Sequence, residues 1–492
     1  MKKTGAFLLA LLLMLPLFVK ADHHREYYEI FVASYCDSDG DGTGDLKGIA
    51  EKLPEIEYLG VTGLWLMPVH PSPSYHKYDV LDYYAIDPAY GTMADFEALA
   101  SRCEEKGMAL IIDLVLNHTS HLHPWFLSAC KSIAVEPCGE ISCPMEPLCR
   151  AHNPYCGYYH FYQEAGSNRR ALSNGWYFEG VFGPHMPDLN LTNEAVVAEL
   201  LQIADFWLQK GAAGFRLDAV VHFENNNVPF NNAFLRRLKE RFPEAYFVGE
   251  VWSDAAVISR YYESGIDSLF NYPLATQDGS LIKAIRNGNG SAFAEKIAAW
   301  QETLKEINPS AIDAPFLSNH DNGRSAGFLM RDAALQKLAA AVYLFMPGNP
   351  FIYYGEELGM TGSGRDENKR QPYLWSVSDA SGIPNPPPDC EQTQSLAEGY
   401  WEQKENPGSL LNTYRDLLKA RKSRPEIARG TVTPLNLGLD TLCAYTSTYL
   451  DSSVTVVHNF SKEALSFEFD SRSFPVPAYG TLLIDDSDYE VF

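Results

Sequence analysis

After its first 21 residues, this 492-residue chain has no run long and apolar enough to cross a bilayer, which argues against an integral membrane protein. Basic residues are scarce: 39 Lys and Arg stand against 63 Asp and Glu, a formal charge of -24. An acidic surface of that size disfavours nucleic acid and anionic membrane as partners. Low-complexity segments and short-period repeats are missing too, so an array of adhesive modules is excluded. No CxxC spacing occurs among the nine cysteines.

What is present is an ordinary globular makeup, 46% apolar and 21% charged, long enough for a large core and two or three domains. Aromatics reach 13%, which suits a surface that stacks on flat ligands. The opening MKKTGAFLLALLLMLPLFVKA starts with Lys2 and Lys3, continues through an apolar core, and ends with Val19 and Ala21 in peptidase spacing. It reads as a cleaved secretory signal (1–21), with a secreted or periplasmic, monomeric product and no membrane anchor after cleavage. An oxidising compartment then accounts for the cysteines. Five of them, Cys130, Cys138, Cys143, Cys149 and Cys156, crowd a stretch rich in Pro and Gly. Disulfide staples in a long loop are the expectation. Zinc is the lesser reading, since His152 and His160 are the only histidines nearby.

Eight apolar, β-branched runs end in polar or small residues: YEIFVASYCD (28–37), GVTGLWLMPV (60–69), MALIIDLVLNH (108–118), GFRLDAVVH (214–222), AYFVGEVW (245–252), IDSLFNYPL (266–274), APFLSNHD (314–321) and NPFIYYGEELG (349–359). Helical patterns separate them, such as 95–107, 193–211 and 231–242. Alternating strands and helices predict parallel βα units, and eight is the count that closes a (β/α)8 TIM barrel. The barrel is assigned to 22–118 and 186–426. A Cys-rich subdomain (119–185) is inserted after the third strand, and an antiparallel β-sandwich (427–492) follows.

In a barrel, polar residues at the C-terminal strand ends face one pocket. Asn117 and His118 end the third run, Arg216, Asp218 and His222 lie in the fourth, Glu250 in the fifth, and His320 and Asp321 in the seventh. A buried ion pair is weak evidence for stability, so Arg216 beside Asp218 asks for a chemical reason. Two carboxylates flanking a sugar ring are the equipment for glycosidic cleavage. On this reading Arg216 keeps Asp218 ionised as a nucleophile. Glu250, among Val248, Val251 and Trp252, has the apolar setting of a general acid.

DLVLNH (113–118), GFRLDAVVH, GEVW (249–252) and FLSNHD (316–321) resemble, in order, the four signature segments of the α-amylase family, glycoside hydrolase family 13. GVTGLWLMPV, MPDLN (186–190) and GNPFIYYGEELGM (348–360) agree, so the likeness spans nearly the whole chain. The resemblance implies Asp218 as nucleophile, Glu250 as acid/base and Asp321 as transition-state stabiliser, with retention through a covalent glycosyl-enzyme. It implies sugar contacts from Arg216, His118 and His320 and an aromatic platform at Tyr78. Lys77 departs from it, standing where many relatives have Gly, and is expected to crowd or charge the cleft edge. Ala219 resembles α-1,4-acting members, whereas MPDLN lies between amylase and oligo-1,6-glucosidase forms. The implied activity is α-amylase on internal α-1,4 bonds of starch or maltooligosaccharides. An exo-acting α-glucosidase or a transglycosylase is the close rival. A non-catalytic sugar-binding or transporter-associated relative is the remote one, because such relatives tend to lack part of the catalytic set.

DSDGDGTGD (37–45) places Asp37, Asp39, Asp41 and Asp45 at alternating positions with glycines between. Hard oxygen donors on a tight loop suit structural Ca2+, though Gly48 stands where an EF-hand needs its bidentate Glu. The resemblance adds the Thr43 carbonyl to this set. It also implies a second calcium held by Asn117, Asp188 and the His222 carbonyl.

Overall fold

The computed structural model describes residues 22–485 and 488–492, and the expected leader lies outside them. Seven short strands form one parallel sheet: Tyr27–Ile30, Gly63–Leu66, Ala109–Leu114, Gly214–Leu217, Tyr246–Gly249, Ser268–Leu269 and Phe351–Tyr353. Bridges Phe270–Ala314 and Phe316–Phe351, both parallel, put 314–316 in the seventh of eight positions and close the barrel. All eight sequence runs therefore supply a barrel position.

The helices begin where capping allows. Thr92 accepts from the Asp95 N–H while Asp95 answers the Thr92 backbone, so the helix Met93–Glu105 starts two residues before its apolar pattern. Phe96, Leu99, Ala100 and Cys103 form its buried stripe. Asn193 caps Glu194–Gln209, whose Trp207 donates its indole N–H to the Tyr83 carbonyl at 2.8 Å. Among the described residues no helix is long and apolar enough to cross a membrane.

The insertion carries the helix Pro124–Ser132 and a small antiparallel sheet in the order Phe161–Tyr162, Tyr177–Glu179, Arg169–Ala171. Its cysteines correct the disulfide expectation. All nine cysteines are free, and the thiols of Cys149 and Cys143 lie 3.7 and 3.8 Å from that of Cys138 against about 2.05 Å for a bond. After the short helix Pro425–Arg429, five antiparallel strands form a sheet in the order 431–434, 442–449, 452–459, 481–484, 489–491. The hairpin Leu465–Phe469/Arg472–Val476 closes over it, burying Phe467 and Phe474 against Leu442, Val457 and Leu482.

Candidate active site

Strand register builds the floor of the site. Asp113 on the third strand pairs directly with Arg216 on the fourth, and both point into the barrel, wholly buried. Arg216 Nη1 donates to Asp113 Oδ1 at 2.8 Å and to Asp218 Oδ1 at 2.6 Å, and its Nη2 lies 2.9 Å from Glu250 Oε2. One guanidinium thus serves three carboxylates. At the end of the fourth strand Ala219 takes a left-handed conformation (φ 54°). Its N–H donates to Glu250 Oε2 at 2.9 Å. Tyr272 donates to the other oxygen of Glu250 at 3.1 Å.

Splitting one cation three ways has an electrostatic result that differs from the sequence expectation. Burial pushes the Asp218 carboxyl up to about 8, and Arg216 opposes this without overcoming it. Asp113 is likewise raised by burial against the pull of Arg216. A proton is therefore held within the cluster, and it belongs to the coupled set rather than to one oxygen.

The opposite wall is cationic. His320 Nδ1 meets Glu29 Oε1 at 2.5 Å, and its Nε2 lies 3.0 Å from Asp321 Oδ2 and 2.7 Å from the Tyr78 hydroxyl. Burial works against charge on this ring, but Asp321 and Glu29 raise it to about 9, so it is an imidazolium at neutral pH. Burial would raise Asp321, yet His320 and Arg370 hold its carboxyl far below the usual range. Arg370 Nη2 donates to Asp321 Oδ1 at 2.9 Å. Asp321 is a fixed anion, whereas Asp218 titrates.

These groups open into a cleft of about 250 Å³ lined by Tyr78, His118, Asp218, Glu250, Asp321 and Arg370 among others. The Tyr78 ring stacks on His320 with centroids 5.6 Å apart. His118 is buried with its Nε2 unpartnered, and burial lowers its ring to about 4, leaving a neutral group free for a ligand hydroxyl. Two exposed aromatics stand at the mouth. Phe182 from the insertion leans on His118 and His222, and Trp252 stacks on Tyr272 at 5.0 Å. Lys77 departs from expectation: its ammonium turns away to Asp87 at 2.8 Å and does not line the cleft. Its φ of 67° explains why glycine suits that position.

Asp37, Asp39 and Asp45 converge, with carboxylate oxygens within 4.8 Å of one another. Asp37 accepts N–H bonds from Gly40 at 2.7 Å and Gly42 at 2.8 Å, wrapping the loop around its carboxylate. Asp41 lies outside that convergence and accepts the Thr43 N–H at 2.7 Å. Three converging hard donors on a turned loop fit a calcium ion. At the second expected site, Asn117 Nδ2 donates to Asp188 Oδ1 at 3.1 Å. Burial pushes Asp188 up to about 7, a carboxyl that a cation would relieve. No hydrogen bond joins His222 to this pair among the described residues.

Glu29, Asp113, Tyr272 and Arg370 were not singled out from sequence. Asp113 carried a signal, an acid inside a buried strand run. Glu29 carried the same signal in the first strand. Arg370 caps the one-turn helix Asp366–Lys369 beyond the last strand run and carried none.

An eight-position barrel with strand-end carboxylates on a shared guanidinium, in an aromatic-walled cleft, defines a glycoside hydrolase. The model of the α-amylase catalytic domain matches residues 29–430, and the chain belongs to this family. "Alpha-amylase 3" of Dictyoglomus thermophilum is 36% identical over 470 residues, covering 91% of this chain and 86% of that protein. The solved structure of Eubacterium rectale Amy13B superposes with a TM-score of 0.89 at 39% identity, covering 95% of this chain and 96% of that one. A 4-alpha-glucanotransferase of Thermotoga neapolitana is 31% identical over 372 residues, covering 71% and 76%. The chain is an α-amylase-family enzyme whose relatives act by hydrolysis or by transfer.

Proposed function

We propose a secreted, retaining α-amylase that cuts internal α-1,4-glucosidic bonds of starch and maltooligosaccharides. The observation that carries this reading is the grip of one guanidinium on both Asp218 and Glu250. A retaining pair needs its carboxyls close, about 5–5.5 Å apart, and a shared fork keeps them so. Asp218 attacks the anomeric carbon while Glu250 protonates the departing glycosidic oxygen. The covalent glycosyl-enzyme is then opened by a water that Glu250 deprotonates. Asp321, held ionised between His320 and Arg370, faces the positive charge that develops on the ring. His118, His320 and Arg216 meet the sugar beside Tyr78.

The aromatic-walled cleft supports internal attack, with Phe182 and Trp252 as stacking surfaces for flanking sugars. The transferase relative supports a second outcome in which a sugar hydroxyl replaces water. A chromatographic time course on a long linear α-1,4-glucan separates the readings. Mixed intermediate lengths at early times are expected. Glucose alone from the start would mark an exo-glucosidase, and products longer than the supplied chains a transglycosylase.

Calcium at Asp37, Asp39 and Asp45, completed by Asp41 and the Thr43 carbonyl, would neutralise a crowded acidic loop and do no chemistry. A second ion at Asn117, Asp188 and the His222 carbonyl would tie insertion to barrel. Calcium is expected to raise the melting temperature, and Asp37→Asn to shrink that rise. Scanning calorimetry with and without calcium checks it, and a variant as responsive as the native chain would remove the first site.

A further inference from the structure

From residue 134 to residue 152 the insertion has no helix and no strand, and Cys149 is its only buried residue. Ile141, Met145 and Leu148 point into solvent. A 19-residue irregular segment without an apolar core of its own needs another tie. What faces inward is Cys138, Cys143, Cys149 and His152, whose ligand atoms all lie within 4.8 Å of one another. Cys138 Sγ is 3.8 Å from Cys143 Sγ and 3.7 Å from Cys149 Sγ. His152 Nδ1 is 3.0 Å from Cys149 Sγ and 3.5 Å from Cys138 Sγ.

These spacings are too long for disulfides, and three thiols around one imidazole could form at most one. The two S···S spacings and the 3.5 Å S···N spacing match the edges of a tetrahedron, while the 3.0 Å spacing from His152 to Cys149 is shorter. Four-coordinate zinc with Zn–S of about 2.3 Å and Zn–N of about 2.0–2.1 Å has S···S edges of about 3.8 Å and S···N edges of about 3.5 Å. The Cys149 backbone N–H donates to Cys143 Sγ at 3.4 Å, a bond that supports a thiolate. The lesser sequence reading becomes the better one, and its signals were Cys138-x4-Cys143 and Cys149-x2-His152, both zinc-ligand spacings.

We propose that Cys138, Cys143, Cys149 and His152 form a structural zinc site that folds the 134–152 segment of the insertion. Three soft thiolates and an imidazole select zinc over calcium. A filled four-ligand shell leaves no position for substrate, so the ion is structural. Each thiol yields its proton to solvent on binding.

The full mature chain, purified with zinc present and then gel-filtered, is expected to retain stoichiometric zinc by mass spectrometry. Cys149→Ser and His152→Ala should each lose it, whereas Cys103→Ser, on a barrel helix far along the chain, should keep it. Because a variant could misfold, the native chain is also stripped with a zinc chelator in excess calcium and refilled with cobalt. Intense sulfur-to-cobalt charge-transfer absorption is expected, together with restored resistance of 134–152 to proteolysis. The proposal is overturned if the native chain holds no zinc, if zinc survives both substitutions, or if non-reducing peptide maps find these cysteines in disulfides. Bound metal and thiol state are the readouts, so such a failure would leave the glycosidase reading untouched.

Discussion

Asp218→Asn is expected to lower starch hydrolysis by roughly 10⁴–10⁶-fold and, at alkaline pH, to make the protein more stable. The first effect follows from the loss of the attacking oxygen anion. The second follows from crowding: Asp113, Asp218 and Glu250 share Arg216 at the buried floor of the cleft. Burial raises the Asp218 carboxyl to about 8 from an ordinary 3.8. A group whose pKa is raised by folding contributes stability that is complete below its unfolded value and is lost as pH rises through the folded value. The native chain therefore loses stability between about pH 4 and pH 8 on account of this residue. A neutral amide does not titrate, so the variant escapes the loss. The melting-temperature difference should favour the variant by roughly 2–5 °C near pH 9 and shrink toward about pH 5. His320, raised to about 9, also costs stability as pH climbs, but it does so in both proteins and cancels. A difference that is flat with pH, or that favours the native chain at high pH, would remove the crowding argument while leaving the catalytic one intact.

Barrel and site differ in how far sequence reaches them. Strand phase is local, so Arg216 and Asp218 could be placed on one face from alternation alone. What alternation does not state is the neighbour across the ladder. Asp113 meets Arg216 through parallel register, and that third carboxylate turns an ion pair that should keep Asp218 charged into a cluster that holds a proton. Glu29 reaches His320 across 291 residues of chain, a pairing no local pattern contains. Lys77 misled for a related reason: its charge was legible, but the left-handed backbone that turns it toward Asp87 was not. The cysteines misled through a rule about one spacing. Cys138, Cys143, Cys149 and His152 satisfy other spacings, and only their convergence shows it.

Glu250→Gln separates acid/base work from nucleophilic work, because its effect should depend on the substrate. Glu250 sits with one oxygen on Arg216 and the Ala219 N–H and the other on Tyr272. Glutamine keeps the shape of the side chain but can neither give nor take a proton. On starch, whose leaving alcohol must be protonated, the rate should fall roughly 10²–10⁴-fold. On an α-maltoside of an acidic phenol the leaving group departs without help, so formation of the glycosyl-enzyme should be nearly as fast as in the native enzyme. Its breakdown still needs a base for water, so the covalent intermediate should accumulate and give a burst of phenol. Azide needs no base, and it should release the intermediate and restore turnover. Because Asp218 blocks one face during that step, the product should be the α-glycosyl azide. In Asp218→Asn or smaller variants azide would attack the substrate directly and give the β anomer instead. Equal losses on both substrates, with no burst and no azide rescue, would take the acid/base role away from Glu250. The guanidinium and N–H that grip it would then mark a positioning group for Asp218.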